Sequence, residues 1–383
     1  MNKQSPCIWP TPKEHFLKNL PDAPVLYFAP GALKAKVQVF QQGFGGAVSY
    51  AVKANSRADV LRCLTEAGIG IFDVASPKEM QAVRAVNPKA MLNYHNPIRS
   101  VDEIALAKTY GITSWSVDAL SELDKLGNLP EGSEIAVRIK LPLEGGAYNF
   151  GKKFGATPQV AVPLLKEVVA RGLRPSLTFH PGTQCQAPKV WAAYIGAAAQ
   201  VAQEAGVTLE RLNVGGGFPS DRDQRAPDLT IIFDQITTAL KHCFHVKKPN
   251  LTCEPGRGLV ADSIALVVRV KNIRPDGALV WNDGVYGALA EWRDLPPVQS
   301  RHIAVCDPFG NPRRGPLDSR IVFGPTCDSL DRLKEPLPLP QDIDEEDFIL
   351  IQGLGAYSIA LACRFNGYGT TSWVTCENLE ADH

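Results

Sequence analysis

From Val25 onward the chain repeats one pattern: a short apolar run, a turn, then a stretch with helical spacing. The apolar runs are Val25-Leu26-Tyr27-Phe28, residues 48–52, 70–74, 90–94, 112–117, 135–139, 176–180, 212–215 and 251–254. Helix-period sequence separates most of them, as at residues 76–86 and 160–171. Ser76-Pro77-Lys78-Glu79 carries a capping hydroxyl, a proline at the first helical position and a glutamate close behind. Near-continuous apolar runs fit parallel strands with both faces covered. Strands alternating with helices imply a parallel sheet, and about eight such units predict a (β/α)₈ barrel of the TIM type. A doubly wound open sheet is the alternative. No Gly-x-Gly-x-x-Gly follows the first strand, which disfavours a dinucleotide fold.

Beyond residue 262 the texture changes. Residues 264–270, 278–281, 302–305, 320–323 and 348–351 are strand-like and are joined by loops rich in Pro, Gly and Asp. The fold class expected is therefore α/β plus β. An N-terminal segment over residues 1–24, without clear period, should pack on the β-domain. The barrel should span residues 25–262, and a C-terminal β-sandwich or barrel residues 263–383. The proline-rich, acidic residues 336–346 are expected to form a surface loop.

Composition narrows the function classes. Lys plus Arg and Asp plus Glu are both 40, so the formal net charge is zero, which argues against a nucleic-acid or acidic-membrane binder. No stretch approaches the roughly 18 continuous apolar residues of a membrane span. Met1-Asn2-Lys3-Gln4-Ser5-Pro6 lacks an apolar signal core, so a cytoplasmic protein is expected. The nine cysteines are widely spaced and include no Cys-x-x-Cys, so neither a metal site nor a disulfide framework is indicated. Most should be small buried hydrophobes in a reducing compartment.

The polar residues at strand ends carry the chemistry. Lys53 follows the run Val48-Ser49-Tyr50-Ala51-Val52, and burial there would ease loss of its proton and favour a Schiff base with an aldehyde. Asp73, Arg138, His180, the run Gly215-Gly216-Gly217 and Glu254 occupy corresponding ends. Glycines there let backbone N–H groups approach an anion such as a phosphate. Glu254-Pro255-Gly256-Arg257 adds a carboxylate that can hold a pyridinium proton. Lysine, phosphate cradle and acidic pyridine partner together describe a pyridoxal phosphate site. Each residue alone has a plainer reading: a lone His180 is usually a satisfied core residue, Asp328 could cap a turn, and Cys327 could be one more thiol.

Tyr50-Ala51-Val52-Lys53-Ala54-Asn55, Phe179-His180-Pro181-Gly182-Thr183, Gly215-Gly216-Gly217-Phe218-Pro219, Glu254-Pro255-Gly256-Arg257, Gly324-Pro325-Thr326-Cys327-Asp328 and Gly355-Ala356-Tyr357 occur in this order. Together they resemble the motifs of the fold-type III, alanine-racemase-like decarboxylases, nearest to the ornithine decarboxylase branch. The resemblance implies that Lys53 binds the aldehyde of pyridoxal 5'-phosphate, that His180 stacks on its ring, and that Glu254 pairs with the ring nitrogen. It assigns the phosphate to Gly217, Arg257, Tyr357 and Thr183, counts Gly216 and Gly256 among the cofactor-binding residues, and sets Asp73 and Arg138 in support. The motif usually has serine where Thr183 stands and no proline at the place of Pro181. Cys327 is implied as the proton donor to the α-carbon, and Asp328 as the group facing a distal amine, both reaching the active site of the other subunit of a homodimer. Tyr286, in Asn282-Asp283-Gly284-Val285-Tyr286-Gly287, and Phe365 are implied to line the substrate; Glu291 and Asp294 are both candidates for a second acidic contact. The activity implied is decarboxylation of a small basic amino acid, L-ornithine to putrescine or L-lysine to cadaverine, in polyamine biosynthesis. Arginine, a diaminopimelate-like compound or a biosynthetic intermediate are alternative substrates. A catalytically inactive, antizyme-inhibitor-like binder is a further alternative, set back by the presence of Lys53, His180, Glu254, Arg257, Cys327 and Tyr357.

Overall fold

The computed structural model describes residues 8–143, 152–222, 225–370 and 372–379. The opening hexapeptide read for a signal, and Cys7, lie outside them. The chain divides into two compact units: Met1–Ala35, Ser220–Ala226 and Val260–His383 form one, and Lys36–Pro219 with Pro227–Leu259 forms the other.

The first two strands, β1 (Ile8–Trp9) and β2 (Val25–Phe28), stay out of the barrel. The barrel consists of β3 (Ala47–Ala51), β4 (Ile71–Val74), β5 (Met91–Tyr94), β6 (Ser114–Val117), β7 (Glu134–Arg138), β8 (Arg174–Thr178), β9 (Arg211–Asn213) and β10 (Asn250–Cys253). All neighbours are parallel, and β10 closes on β3 with Thr252 opposite Ala47, which rules out the open sheet. The helix after β4 begins as its sequence dictates: it spans Pro77–Val86, and Ser76 accepts a hydrogen bond from the Glu79 backbone at 3.3 Å.

The barrel strands alternate rather than run apolar throughout. Val48 and Tyr50, Phe72, Leu92 and Tyr94, Trp115 and Val117 are buried and apolar. The residues between them, Ser49, Asp73, Asn93, Ser114 and Ser116, are buried and small or polar. A period of two puts the sets on opposite faces. The apolar face meets the helical layer: Phe179 stacks on Tyr194 of helix Pro188–Ala205, with centroids 4.7 Å apart. The polar face lines the barrel axis, where barrels more often carry branched hydrocarbon. A polar axis needs internal partners, because burial strips these groups of water.

In the other unit, β11 (Ile264–Ile273), β12 (Leu279–Trp281), β13 (Ile303–Cys306), β15 (Val322–Phe323), β17 (Phe348–Ile351) and β18 (Ser372–Cys376) join β1 and β2 in one sheet. β14 (Leu317–Arg320) and β16 (Leu337–Pro340) form a separate pair. Residues 25–28, expected in the barrel, form β2 here, antiparallel to β11 and parallel to β18. The strand is buried on both faces, so its sequence reads alike in either sheet. Phe16, Val25, Tyr27, Val267, Phe348 and Leu350 form the core of this sheet. Two further expectations change. Residues 12–19, read as irregular, form a helix whose Thr11 accepts from the Glu14 backbone at 3.2 Å. The proline-rich stretch contributes strand β16, with Leu337 and Leu339 buried; a two-stranded edge spares prolines from donating to a ladder.

Candidate active site

Lys53 lies just past β3, on a 3₁₀ turn over Val52–Ala54. The turn is held from both sides: Tyr50 donates from its hydroxyl to the Asn55 carbonyl at 2.9 Å, and the Asn55 backbone donates to the Val52 carbonyl at 3.1 Å. Val52 and Ala54 are buried, yet Lys53 itself is exposed, unlike the desolvated lysine expected from the flanking sequence. The turn aims an otherwise apolar segment's one amine outward, where a ligand aldehyde can reach it.

Glu254, immediately after β10, is buried among polar partners. Its Oε1 accepts from Asn213 Nδ2 at 2.5 Å and from His95 Nδ1. Asn213 is oriented by the Gly215 backbone, which donates to its Oδ1 at 2.9 Å. Burial pushes the Glu254 carboxyl up, but His95, these hydrogen bonds and Lys53 outweigh it and bring it to about 2. Asp73, in β4, goes the other way. Burial and the neighbouring Glu254 raise it to about 7, and its Oδ1 has no hydrogen-bond partner among the described residues. Atoms of Asp73, His95 and Glu254 all lie within 4.8 Å of one another.

His180 follows β8. Its Nδ1 accepts from the Gly182 backbone at 3.2 Å, which places the proton of the neutral ring on Nε2. Burial and the cations Lys53 and Arg138 lower its pKa well below the ordinary value, so the ring is neutral. Arg138 ends β7, with its guanidinium 5.2 Å from the Phe154 ring centroid. The glycine run after β9 packs between these groups. A Cβ on Gly216 would lie 2.8 Å from the Glu254 carbonyl oxygen and 3.1 Å from His180 Nε2. Gly217 has φ +84°, and a Cβ there would meet the Gly182 oxygen at 2.2 Å. The turn containing Pro181, Gly182 and half-buried Thr183 thus needs a bare backbone opposite it. Gly256 brings the Glu254 loop against the lysine turn, since a Cβ there would sit 3.0 Å from Ala54 Cβ. Arg257, buried, opens the short helix Arg257–Val260.

The barrel unit therefore brings together Lys53, Asp73, Arg138, His180, Gly216, Gly217, Glu254 and Gly256. Two members are new relative to the sequence reading, His95 and Asn213. Both stand at strand ends, His95 directly after β5 and Asn213 as the last residue of β9, and that position is the signal that could have found them.

The remaining candidates lie in the other unit. Tyr286 donates from its hydroxyl to Asp328 Oδ2 at 2.6 Å and packs against Phe365, with ring centroids 5.4 Å apart. Asp328 also accepts from the Leu330 backbone at 2.9 Å. The bond from Tyr286, then that from Leu330, hold the Asp328 carboxyl below the usual range. Cys327 is exposed, and its backbone donates to Asn366 Oδ1 at 3.1 Å. Buried Asp331 anchors this patch, accepting from the Val285 and Thr326 backbones at 3.0 and 3.1 Å. Glu291 is buried and pairs with Arg222 Nη1 at 2.9 Å, whereas Asp294 is exposed and closes the turn Ala290–Arg293. Tyr357 adopts φ +57° after Gly355, whose Cβ would overlap the Val260 oxygen at 1.7 Å.

Of the described cysteines, Cys63, Cys185, Cys253 and Cys376 are buried, Cys243 and Cys306 are half-buried, and Cys327 and Cys363 are exposed.

Comparison with known proteins adds the following. Residues 31–261 match the family model described as pyridoxal-dependent decarboxylase, pyridoxal binding domain. The chain is 31% identical over 342 residues to the chloroplastic ornithine decarboxylase of Nicotiana glauca, covering 85% of this chain and 77% of that one. It is 29% identical over 347 residues to antizyme inhibitor 2 of Xenopus laevis, covering 83% of this chain and 73% of the other. A lysine/ornithine decarboxylase of Vibrio vulnificus solved with putrescine shares the fold, with a TM-score of 0.80, 24% identity, and coverage of 94% and 96%.

The barrel site fits pyridoxal phosphate by its donor set. Glu254, ionised and buried, suits a protonated ring nitrogen, and Asp73 Oδ1 is a buried acceptor without a partner. Gly216 and Gly217 leave a side-chain-free surface beside His180. His95 is not available to a metal in this arrangement, because Nδ1 faces Glu254 and Nε2 faces Ser114.

Proposed function

The chain belongs to the pyridoxal-dependent decarboxylases, and from that premise we propose that it decarboxylates a basic L-amino acid, L-ornithine to putrescine foremost and L-lysine to cadaverine second, as a step of polyamine biosynthesis in the cytoplasm. Pyridoxal phosphate, when bound, supplies an aldehyde for the substrate amine and a ring that takes up the electron pair left when CO₂ departs. The chain's own residues do the rest. Lys53 presents the amine that holds the cofactor. Glu254 keeps a proton at the ring nitrogen, and neutral His180 offers a flat face without adding charge. Gly217, Arg257 and Thr183 would bind the phosphate, and Asp73 and Arg138 would balance charge around the ring. Cys327 returns a proton to the α-carbon.

The observation that carries the substrate class is the Asp328 patch. A carboxylate held ionised by Tyr286 and flanked by Phe365 suits an ammonium group on an apolar tail. Glu291, already engaged with Arg222, is a weaker candidate for a second acidic contact than solvent-facing Asp294. We assign Cys327 and Asp328 to the site of the partner subunit in a homodimer, whose two-fold symmetry makes two equivalent sites. No helix among the described residues is long and apolar enough to cross a membrane. One methylene separates ornithine from lysine, worth about 1–3 kcal/mol in a pocket. Measuring kcat/KM side by side on ornithine, lysine, arginine and diaminopimelate decides the matter. Highest turnover on ornithine or lysine is expected. Preference for diaminopimelate would overturn the reading of Asp328, and loss of activity on all four would favour an inactive binder.

A further inference from the structure

A row of hydrogen-bonded polar groups crosses the barrel interior. Glu134 and Arg211 are the first residues of β7 and β9, so they stand at the N-terminal ends of the strands. Arg211 Nε donates to Glu134 Oε1 at 2.9 Å, and Nη2 pairs with Oε2. Both residues line an open depression of about 660 Å³ at that end. Ser114 donates to Glu134 Oε1 at 3.3 Å, His95 Nε2 lies 2.9 Å from Ser114 Oγ, and His95 Nδ1 contacts Glu254 Oε1. Glu254 follows the C-terminal end of β10. The row thus joins the two ends of the barrel.

One hydroxyl fixes the proton placement along this row. Glu134, paired with Arg211, is a carboxylate and only accepts. Ser114 has one proton, and directing it elsewhere would leave two acceptor oxygens facing each other at 3.3 Å. With that proton on the Glu134 side, Ser114 Oγ accepts from His95 Nε2. The Glu254 carboxylate accepts from His95 Nδ1. Both ring nitrogens then carry hydrogen.

We infer that His95 is a positioning residue which, as an imidazolium, fixes Glu254 and keeps it ionised for the pyridoxal ring nitrogen, while the Ser114–Glu134–Arg211 row fixes His95 in turn. The surroundings support this. A buried cation needs anionic partners, and His95 has Glu254 and, next, Asp73, with Arg211 opposing them. Burial lowers the His95 pKa, but the two carboxylates more than reverse this and raise it. Glu254 Oε1 takes both His95 and Asn213, and Oε2 takes neither. The carboxylate is therefore set in place and charged before any ring nitrogen approaches it, which is the preorganisation that electrostatic catalysis requires. The inference rests on the cofactor reading but not on the choice of substrate.

The test reads protonation rather than rate. Full-length protein carrying ¹⁵N-histidine is followed by NMR from about pH 5 to about pH 9, loaded with pyridoxal phosphate and cofactor-free, with His95→Gln used to assign one of the seven histidines. Both His95 nitrogens should show protonated shifts at neutral pH and titrate above the ordinary histidine range. In Glu254→Gln the same ring should lose its proton below that range. Should Glu254→Gln not fold, the wild-type titration decides alone. His95→Gln should also lower kcat about 10- to 100-fold with KM little changed, the usual scale for a residue acting through another. A His95 ring that is neutral at neutral pH overturns the inference, as does a titration that Glu254→Gln leaves unmoved. Neither outcome touches the decarboxylase reading, which the substrate panel tests separately.

Discussion

The Glu254 site and the Asp328 patch both hold an ionised carboxylate, and they are built on opposite principles. Glu254 is buried, fixed by side chains from other barrel strands, and its acidity is set by those neighbours. Asp328 sits on a loop, held by one tyrosine hydroxyl and a local backbone amide. The first arrangement suits a group that must hold a proton in one geometry throughout the chemistry. The second suits recognition of a flexible tail, where water competes and binding is weaker. Substitutions in the two places should therefore differ in size and in the kinetic constant they move.

Glu254→Gln should have the largest effect. It keeps the shape but removes the charge, and kcat should fall about 10²–10³-fold, the scale for one preorganised electrostatic contact. Cofactor binding should survive, seen as retained absorbance on gel filtration. A kcat within a few-fold of wild type would show that another group protonates the ring.

Cys327→Ala comes next. A missing proton donor costs about 10²-fold or more, and the loss should fall on kcat with KM nearly unchanged. An aldehyde product together with pyridoxamine phosphate would mark misdirected protonation; clean diamine at the normal rate would remove the cysteine from the chemistry.

Asp328→Asn should act on binding. KM for ornithine should rise roughly five- to tenfold, within reach of a solvent-accessible charge pair, while kcat stays close. A fall in kcat of Glu254 size would erase the contrast between the two regions.

The smallest effect is thermal. Asp73 has an ordinary pKa of 3.8 and is raised to about 7 in the fold, mainly by burial. Its contribution to stability is therefore complete below about 3.8 and is lost as pH rises through about 7. Asp73→Asn removes that dependence. Between about pH 5 and about pH 8, the cofactor-free wild type should lose about 2–4 °C in Tm relative to the variant. Parallel pH profiles would mean that Asp73 is ionised throughout.

Much of this was legible in the sequence because a parallel barrel writes itself locally. Each strand is a short run, several helices carry their own caps, and the candidate site residues stand where the runs stop, as Lys53, Glu254 and His180 do. What was not legible is non-local. Residues 25–28 carry no mark of which sheet they join, since both faces are buried in either case. His95 meets Glu254 across 159 positions, and nothing near either residue announces the other. Lys53 was expected to be desolvated because its neighbours are apolar, but a 3₁₀ turn reverses its direction at the strand's end. Thr11-Pro12 repeats the helix start seen at Ser76-Pro77, and only the polar sequence around it hid the helix.

In the proposed homodimer the barrel supplies the cofactor chemistry and the other unit of the partner subunit completes the site. Lys53→Ala and Cys327→Ala proteins, each nearly inactive alone, test it when mixed. Random exchange makes about half of the dimers mixed, and each mixed dimer carries both lesions in one site and none in the other. Activity should then recover to roughly a quarter of wild type by that symmetry. Subunit exchange demonstrated by mass spectrometry of tagged chains, with no activity above that of the parents, would place both residues in the site of one chain and contradict the shared-site model.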